Sequence, residues 1–322
     1  MFQFRKIHIE NFRTIESEEI LFGENKTVFV GKNDAGKSNI LKAIRMLFHQ
    51  ENKKIKKSYF RDPAKEICVR GEVMYNEKIY EFTCRASLHR EKVEFSYDPM
   101  DDETMSVFQN INLIYIPSNR KLDTKDPDNG YNKLINLILE NKENREFYDP
   151  VSVQQEGFDD IANKDDTEKT MFIISLLKLY LYSIRGANQK RCNIFLIDQP
   201  ENFLHPHGTK LIDRLLQQIS ELSHAQILYS THSSELVSNF KKGKYELQDI
   251  VFVRRIDGVT KIKRIENKYG RYNKIMISLI FKNGSVFFSD AVILVEGETE
   301  KISIPNIYEN WDWRTEIKQG ED

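Results

Sequence analysis

Three short apolar runs punctuate the chain, at residues 27–30, 194–197 and 225–229, each unalternated and each followed by small or polar residues. Runs of this kind suit strands covered on both faces, as in a parallel sheet. A helical pattern follows each, over residues 37–48, 208–222 and 233–240. Strand and helix alternating at this spacing predict an α/β fold with right-handed crossovers. Between residues 67 and 95 the period changes to two, which predicts antiparallel strands with one face in water. An acidic stretch at 98–103 and a turn-rich loop at 118–132 follow. Asp123, Asp126 and Asp128 in that loop lack the EF-hand spacing and a closing Glu, so the loop reads as a solvated turn. A second β-rich stretch at 249–265, a helix at 268–281 and a buried strand at 291–295 complete the pattern, the last opening a new unit.

Composition narrows the class. A 322-residue chain that is 40% hydrophobic and 30% charged is neither a disordered tail, a collagen-like fibre nor a membrane bundle. The 48 basic residues nearly cancel the 49 acidic ones, which argues against coating nucleic acid by bulk charge. Cys68, Cys84 and Cys192 show no metal-ligand spacing and fit reduced thiols inside a cell. The first twelve residues lack the apolar core of an export signal. The longest apolar stretch, at 171–184, is interrupted by Ser175, Lys178 and Ser183 and is too short to span a bilayer. The expectation is a cytoplasmic protein with no membrane partner.

The strongest chemical signal is Gly31-Lys32-Asn33-Asp34-Ala35-Gly36-Lys37-Ser38, a P-loop between a predicted strand and a predicted helix. Glycines let successive N–H groups converge on an anion, and the helix start adds its positive dipole end. Lys37 brings a full charge to the β- and γ-phosphates, and the Ser38 hydroxyl can ligate Mg²⁺. Gly31, Asn33, Asp34, Ala35, Gly36, Lys37, Ser38 and Asn39 are therefore the candidate ATP contacts. Residues 194–197 carry Asp198 to the edge of the sheet where ligands of open α/β folds bind, which makes it the second candidate Mg²⁺ ligand. One crossover later His232 follows the strand at 225–229, placed to touch the γ-phosphate or the attacking water. Arg13 and Arg120 are candidates either for phosphate contact or for loop support. The basic run at 53–57 and the residues Arg254, Arg255, Lys261, Lys263 and Arg264 read either as a DNA track or as a solvated face.

Together, Asn11 to Ile15, the P-loop, the segment Leu196-Ile197-Asp198-Gln199-Pro200-Glu201-Asn202-Phe203-Leu204-His205-Pro206 and the segment around His232 resemble an ABC-type ATPase of the SMC, RecF and OLD (overcoming lysogenization defect) group. Leu204-His205-Pro206 and the stretch 114–120 point to the OLD family. Residues 291–300, with Glu296 at a strand end, look like the first motif of a Toprim domain. The resemblance implies a mixed-sheet ATPase domain with an antiparallel β subdomain over residues 1–286, then the first strand and helix of an incomplete Toprim domain at 287–322. It implies a homodimer closed through its nucleotide sites, a Toprim nuclease acting on DNA with Glu296 as a metal ligand, and a role in defence against phage.

Three departures shape the expectation. The residues after Glu296 contain no Asp-x-Asp pair, although a two-metal nuclease needs several carboxylates. The site is completed either by sequence beyond Asp322 or by another chain. Gln199 stands where the family places the Glu that deprotonates water; Gln can hold the water but cannot take its proton. ATP should bind well and turn over slowly, with Glu201, three residues beyond Asp198, the nearby substitute. No glycine-rich signature precedes the helix before Asp198; Lys164, Thr167 and Lys169 stand there instead. These departures keep a second reading open, an ATP-gated sensor or scaffold that assembles with or restrains a separate defence subunit.

Overall fold

In the computed structural model, residues 2–48, 55–89, 92–98, 101–120, 129–139, 164–183, 192–222, 225–238, 249–264, 284–289, 295 and 297–310 are described. Strands β1 (Phe2–Phe12), β2 (Ile15–Leu21), β4 (Ile67–Tyr75), β5 (Lys78–His89) and β6 (Lys92–Tyr97) form an antiparallel sheet in the order β2-β1-β4-β5-β6. The period-two stretch after residue 67 supplies β4 to β6, as its alternation predicts. The second sheet runs β11-β10-β3-β9-β8-β7. It contains β3 (Lys26–Val30), β7 (Ile111–Ile116), β8 (Cys192–Asp198), β9 (Ala225–Thr231), β10 (Ile250–Ile256) and β11 (Val259–Arg264). Every neighbouring pair is parallel except β10 with β11. Strands β3, β8 and β9 are buried along their whole length, which is why their sequences do not alternate.

Helix α1 (Lys37–Leu47) lies between the sheets. Its Ile40, Leu41 and Ile44 join Phe4, Val69 and Phe82 from one sheet and Leu196 and Leu228 from the other in a single core. Helix α2 (Asp102–Asn110) precedes β7. On the opposite face of the mixed sheet, α3 (Gly130–Leu139), α4 (Asp166–Ser183), α5 (Pro206–Ser220) and α6 (Ser234–Ser238) pack over Val28, Phe195 and Ile227 in a second core. The apolar stretch that begins at Met171 is therefore a core helix, and among the described residues no helix is long and apolar enough to cross a membrane.

One unpredicted helix appears and one reading is corrected. The acidic stretch runs into α2, whose N-cap Asp101 accepts from the Thr104 amide. The loop expected to reach residue 132 gives way to α3 at Gly130, after Asn129 accepts from the Tyr131 amide. The helix predicted at 268–281 and the aspartates 123, 126 and 128 lie outside the described residues, as do Lys53 and Lys54.

The chain divides into two units, Met1–Phe288 and Ser289–Asp322. In the second, helix α7 (Glu298–Asn310) contains Pro305 and exposes Ile302. Glu296 and residues 291–294 of the predicted strand lie outside the described residues, and Val295 is exposed.

Gln226 joins the two sheets through a fully buried side chain. Its amide oxygen accepts from the Phe4 amide at 2.8 Å, and its nitrogen donates to the carbonyls of Phe4 at 3.0 Å and Gly23 at 2.8 Å. Removing those bonds strands three main-chain groups away from water, each costing about 1–3 kcal/mol if it stays unpaired. We expect Gln226→Leu to lower stability by roughly 3 kcal/mol in urea unfolding. An unchanged midpoint would mean that the sheets are not fastened here.

Candidate functional site

The register of the mixed sheet brings the candidate chemistry to one edge. Val30 lies opposite Thr231, and Asp198 opposite Ser230, so the segments leaving β3, β8 and β9 emerge side by side. The turn after β3 then curls into α1. Asp34 (φ 60°) and Gly36 (φ 110°) both adopt left-handed backbone, and Gly36 is the N-cap of α1. A Cβ on Gly36 would also come 2.1 Å from Thr260 Oγ1, so neither its conformation nor its surroundings admit a side chain. Gly31 needs its small size for a different reason: a Cβ there would come 2.1 Å from the Val253 carbonyl.

Thr260 belongs to a hydroxyl network that sequence reading missed. Its Oγ1 donates to the Ala35 carbonyl at 3.1 Å and lies 2.6 Å from Thr14 Oγ1, while Asn39 donates to that same Thr14 oxygen at 2.7 Å. The Thr260 amide donates to the Thr14 carbonyl at 2.7 Å. Segments more than two hundred residues apart thus brace the loop, and no local pattern around Thr260 announces it.

A cavity of about 620 Å³ opens at this edge. Asn33, Asp34, Gly36, Lys37, Ser38 and Asn39 line it from the loop and α1; Gln199 and His232 face it from β8 and β9, with Arg13, Thr14 and Arg255 nearby. Its volume falls in the usual range of small-molecule sites, roughly 300–1,000 Å³. Gly31 and Ala35 are buried in the loop and do not line it. An adjoining cavity of about 510 Å³ shares Arg13, Thr14 and Arg255 and adds Arg61 and Lys65.

Lys37 is buried, and its ammonium donates to the carbonyls of Gly31 at 2.6 Å and Lys32 at 2.7 Å. Burial lowers its pKa, while Asp198, Glu201 and Asp34 pull it back up. Asp198 is buried and accepts from Ser230 Oγ. Ser38 and Asp198 offer hard oxygen donors, the chemistry Mg²⁺ prefers, and a Mg²⁺ site of this kind needs only one or two protein ligands beside phosphates and water. That agrees with the finding that, among the described residues, no three His, Cys, Asp or Glu side chains cluster as a metal cage. These residues fit a magnesium–nucleotide, and when bound the ion would supply positive charge to the phosphates.

A family model described as an AAA ATPase domain matches residues 3–170, just over half of the chain. The chain belongs to the AAA ATPase domain family. A second model, an AAA domain described as a putative AbiEii toxin of a type IV toxin–antitoxin system, matches residues 174–238. The TOPRIM domain of proteins like the overcoming lysogenization defect protein matches residues 287–319. The Old nuclease of Escherichia phage P2 is 30% identical over 130 residues, 38% of this chain and 21% of that protein. Endonuclease GajA of Bacillus cereus (strain HuB5-5) is 26% identical over 154 residues, 41% of this chain and 22% of that protein. The aligned segments thus span about a fifth of these curated relatives. The head domain in a crystal structure of an Smc head bound to the C-winged helix domain of ScpA superposes with a TM-score of 0.55 at 14% identity, covering 83% of this chain and 99% of that one. The ABC-type fold expected from the sequence is the fold found.

Behind the cavity of this AAA ATPase domain, Arg120 takes the loop-support role of the two it was offered. It is 1% exposed, donating from Nη1 to the Pro117 and Asp198 carbonyls at 2.8 and 3.2 Å, from Nη2 to the Gln199 carbonyl at 2.6 Å, and from Nε to Thr170 Oγ1 at 3.2 Å. It holds Gln199 in left-handed backbone (φ 52°), and the Gln199 amide oxygen accepts from Asn202 at 2.8 Å. Glu201 is buried as well, 8% exposed. Where the family carries its signature, Asp165 caps α4 by accepting from the Glu168 amide, and Lys164 and Lys169 pair with Glu168 and Asp166. Thr167 is thus not the cap, and both lysines already have carboxylate partners. The basic residues of β10 and β11 are divided too: Lys261 pairs with Glu18 at 3.3 Å, while Arg255 lines the cavity.

Removing the Arg120 guanidinium takes a donor from three carbonyls and from Thr170 Oγ1 in a buried site, although the Pro117 and Gln199 carbonyls keep main-chain donors in Arg120 and Asn202. We expect Arg120→Ala to cost about 3 kcal/mol by urea unfolding, and Arg120→Lys to recover only part, since an ammonium cannot span the same fork. Full recovery by lysine would show that charge alone matters there.

Proposed function

We propose that this chain is the ATP-binding and ATP-hydrolysing module of an OLD-type, ATP-dependent DNA endonuclease serving defence against phage. ATP binding closes a homodimer through the nucleotide sites, and hydrolysis is slow. Residues 1–286 form the ATPase domain and residues 287–322 belong to the TOPRIM unit, whose metal is held in part by Glu296. The reading rests on one observation above the others: Lys37, Ser38, Gln199 and His232 share a cavity of nucleotide size at the ends of adjacent strands.

Within that site, Lys37 turns from the carbonyls of Gly31 and Lys32 to the β- and γ-phosphates. Ser38 and Asp198 would hold Mg²⁺, which would supply positive charge to the phosphates. Loop amides starting at Asn33 wrap the phosphates, and Asn39 keeps Thr14 and the loop in register. Gln199 lines the side from which water arrives but has no basic atom to receive a proton. The same feature supports a second reading, in which the chain acts mainly as an ATP-gated sensor that assembles with a separate effector subunit. A switch that must stay closed benefits from slow turnover.

Single-turnover hydrolysis of the parent chain against Gln199→Glu tests the rate assignment. A gained general base should accelerate the step by roughly 10²- to 10⁴-fold. Equal rates would reject the assignment. Particle size with and without Mg-ATP, with Lys37→Ala as the control, tests the clamp: we expect doubling for the parent chain only. Size that ignores nucleotide would remove the dimer from the scheme.

A further inference from the structure

Glu201 sits at the turn after β8, yet its carboxylate reaches across to β9. Oε1 accepts from Thr231 Oγ1 at 2.7 Å and from the His232 amide at 2.9 Å, and the His232 ring Nδ1 stands 3.4 Å from the same oxygen. The other oxygen, Oε2, is shielded from solvent and has no hydrogen-bond partner among the described residues. The Glu201 side chain is 7% exposed, whereas that of His232 is 42% exposed and lines the nucleotide cavity. A buried carboxylate therefore backs a cavity-facing imidazole on one side only.

That arrangement has a chemical consequence. A carboxylate at Nδ1 favours the tautomer protonated there and leaves Nε2 with its lone pair free. It also stabilises the imidazolium that forms when Nε2 accepts a proton. Two other cavity-lining groups compete for the role of base. Gln199 is an amide and is engaged with Asn202. Asp34 lies in the loop that grips the phosphates, while an in-line attack brings water from the side opposite the leaving group. His232 and Gln199 line the same cavity from the segments that follow β9 and β8.

We propose that Glu201 is a positioning residue that holds His232 in one tautomer and orientation, and that His232 Nε2 takes the proton of the attacking water in place of the carboxylate missing at Gln199. In the step, the water oxygen bonds to the γ-phosphorus and the bond from that phosphorus to the β–γ bridging oxygen breaks. The electron pair leaves with ADP, and the water proton moves to Nε2 and then to solvent. The inference rests on the ATPase reading above and assigns its residual, slow route.

Steady-state ATP hydrolysis by the full chain and by Glu201→Gln, His232→Ala and the double variant tests it, with ATP affinity measured separately. Glu201→Gln keeps the acceptor for Thr231 and the His232 amide but removes the charge. We expect kcat to fall about 10²-fold in each single variant with ATP affinity within twofold of the parent, and the double variant to be no slower than either single one. Glu201→Asp should recover part of the loss. A Glu201→Gln enzyme with parental kcat, or losses that multiply in the double variant, would overturn the dyad. Should Glu201→Gln fail to fold, His232→Gln carries the same test, and parental turnover there overturns it. Turnover of the parent no faster than that of Lys37→Ala also overturns it, while ATP-driven dimerisation would still stand. Acceleration by Gln199→Glu reports on the other position and separates the two claims.

Discussion

The site depends on a guanidinium that never reaches water. Arg120 stands behind the strand ends and spends its donors on three main-chain carbonyls and one threonine hydroxyl. Carbonyls at the ends of parallel strands have lost the ladder that would satisfy them, and buried ones must find donors elsewhere. A planar fork of five N–H groups serves several at once, which a lysine cannot do. Burial pulls the Arg120 pKa down, and the nearby Tyr131, Glu201 and Asp198 oppose that pull. Through these contacts the ends of β7 and β8 and the first turn of α4 are joined. The left-handed backbone at Gln199 is then an imposed conformation, and its direction into the cavity follows from it.

The phosphate loop is braced by a different logic. Its own sequence supplies the curl, but its rigidity comes from Thr14 at the β1–β2 turn and Thr260 on β11. Thr260 presses against the one position, Gly36, where a side chain is excluded on two grounds. The same hairpin carries Arg255 to the cavity wall. The cradle is thus a joint between the two sheets, with α1 wedged between them and Gln226 fastening their far side. Anything that shifts one sheet against the other must also distort the loop.

Local chemistry was legible in the sequence, and contacts across the chain were not. A buried strand followed by a glycine-rich turn needs no distant partner to be recognised, so the loop, Lys37, Ser38 and Asp198 could be nominated from their neighbours alone. The mixed sheet followed from three apolar runs and the β-rich stretch at 249–265 supplied β10 and β11, though β7 and the strand order had to be found by pairing. Helices α2 and α3 were overlooked because their starts carry Asp101 and Asn129, which read equally well as turn residues. The role of Thr260 had no sequence signal, and those of Arg120 and Glu201 were nominated without their partners, since the decisive contacts lie 30 to 246 positions away. Glu201 is the sharpest instance. Sequence reading offered it as the substitute base near Asp198, whereas the turn after Pro200 swings it onto the neighbouring strand.

The charge balance at the strand ends gives Gln199 a reason of its own. Two buried cations, Lys37 and Arg120, face two buried carboxylates, Asp198 and Glu201, and each cation is drawn to both carboxylates. A glutamate at 199 would add a third negative group beside the space a triphosphate must enter. Like charges a few ångströms apart, only partly screened at a protein–water boundary, repel by amounts comparable with a hydrogen bond. In the proposed ATPase, the neutral side chain of Gln199 holds a water without repelling a phosphate. Once that choice is made, the proton must leave by another route. In the proposed step, the histidine that faces the cavity and is backed by Glu201 is the group that accepts it.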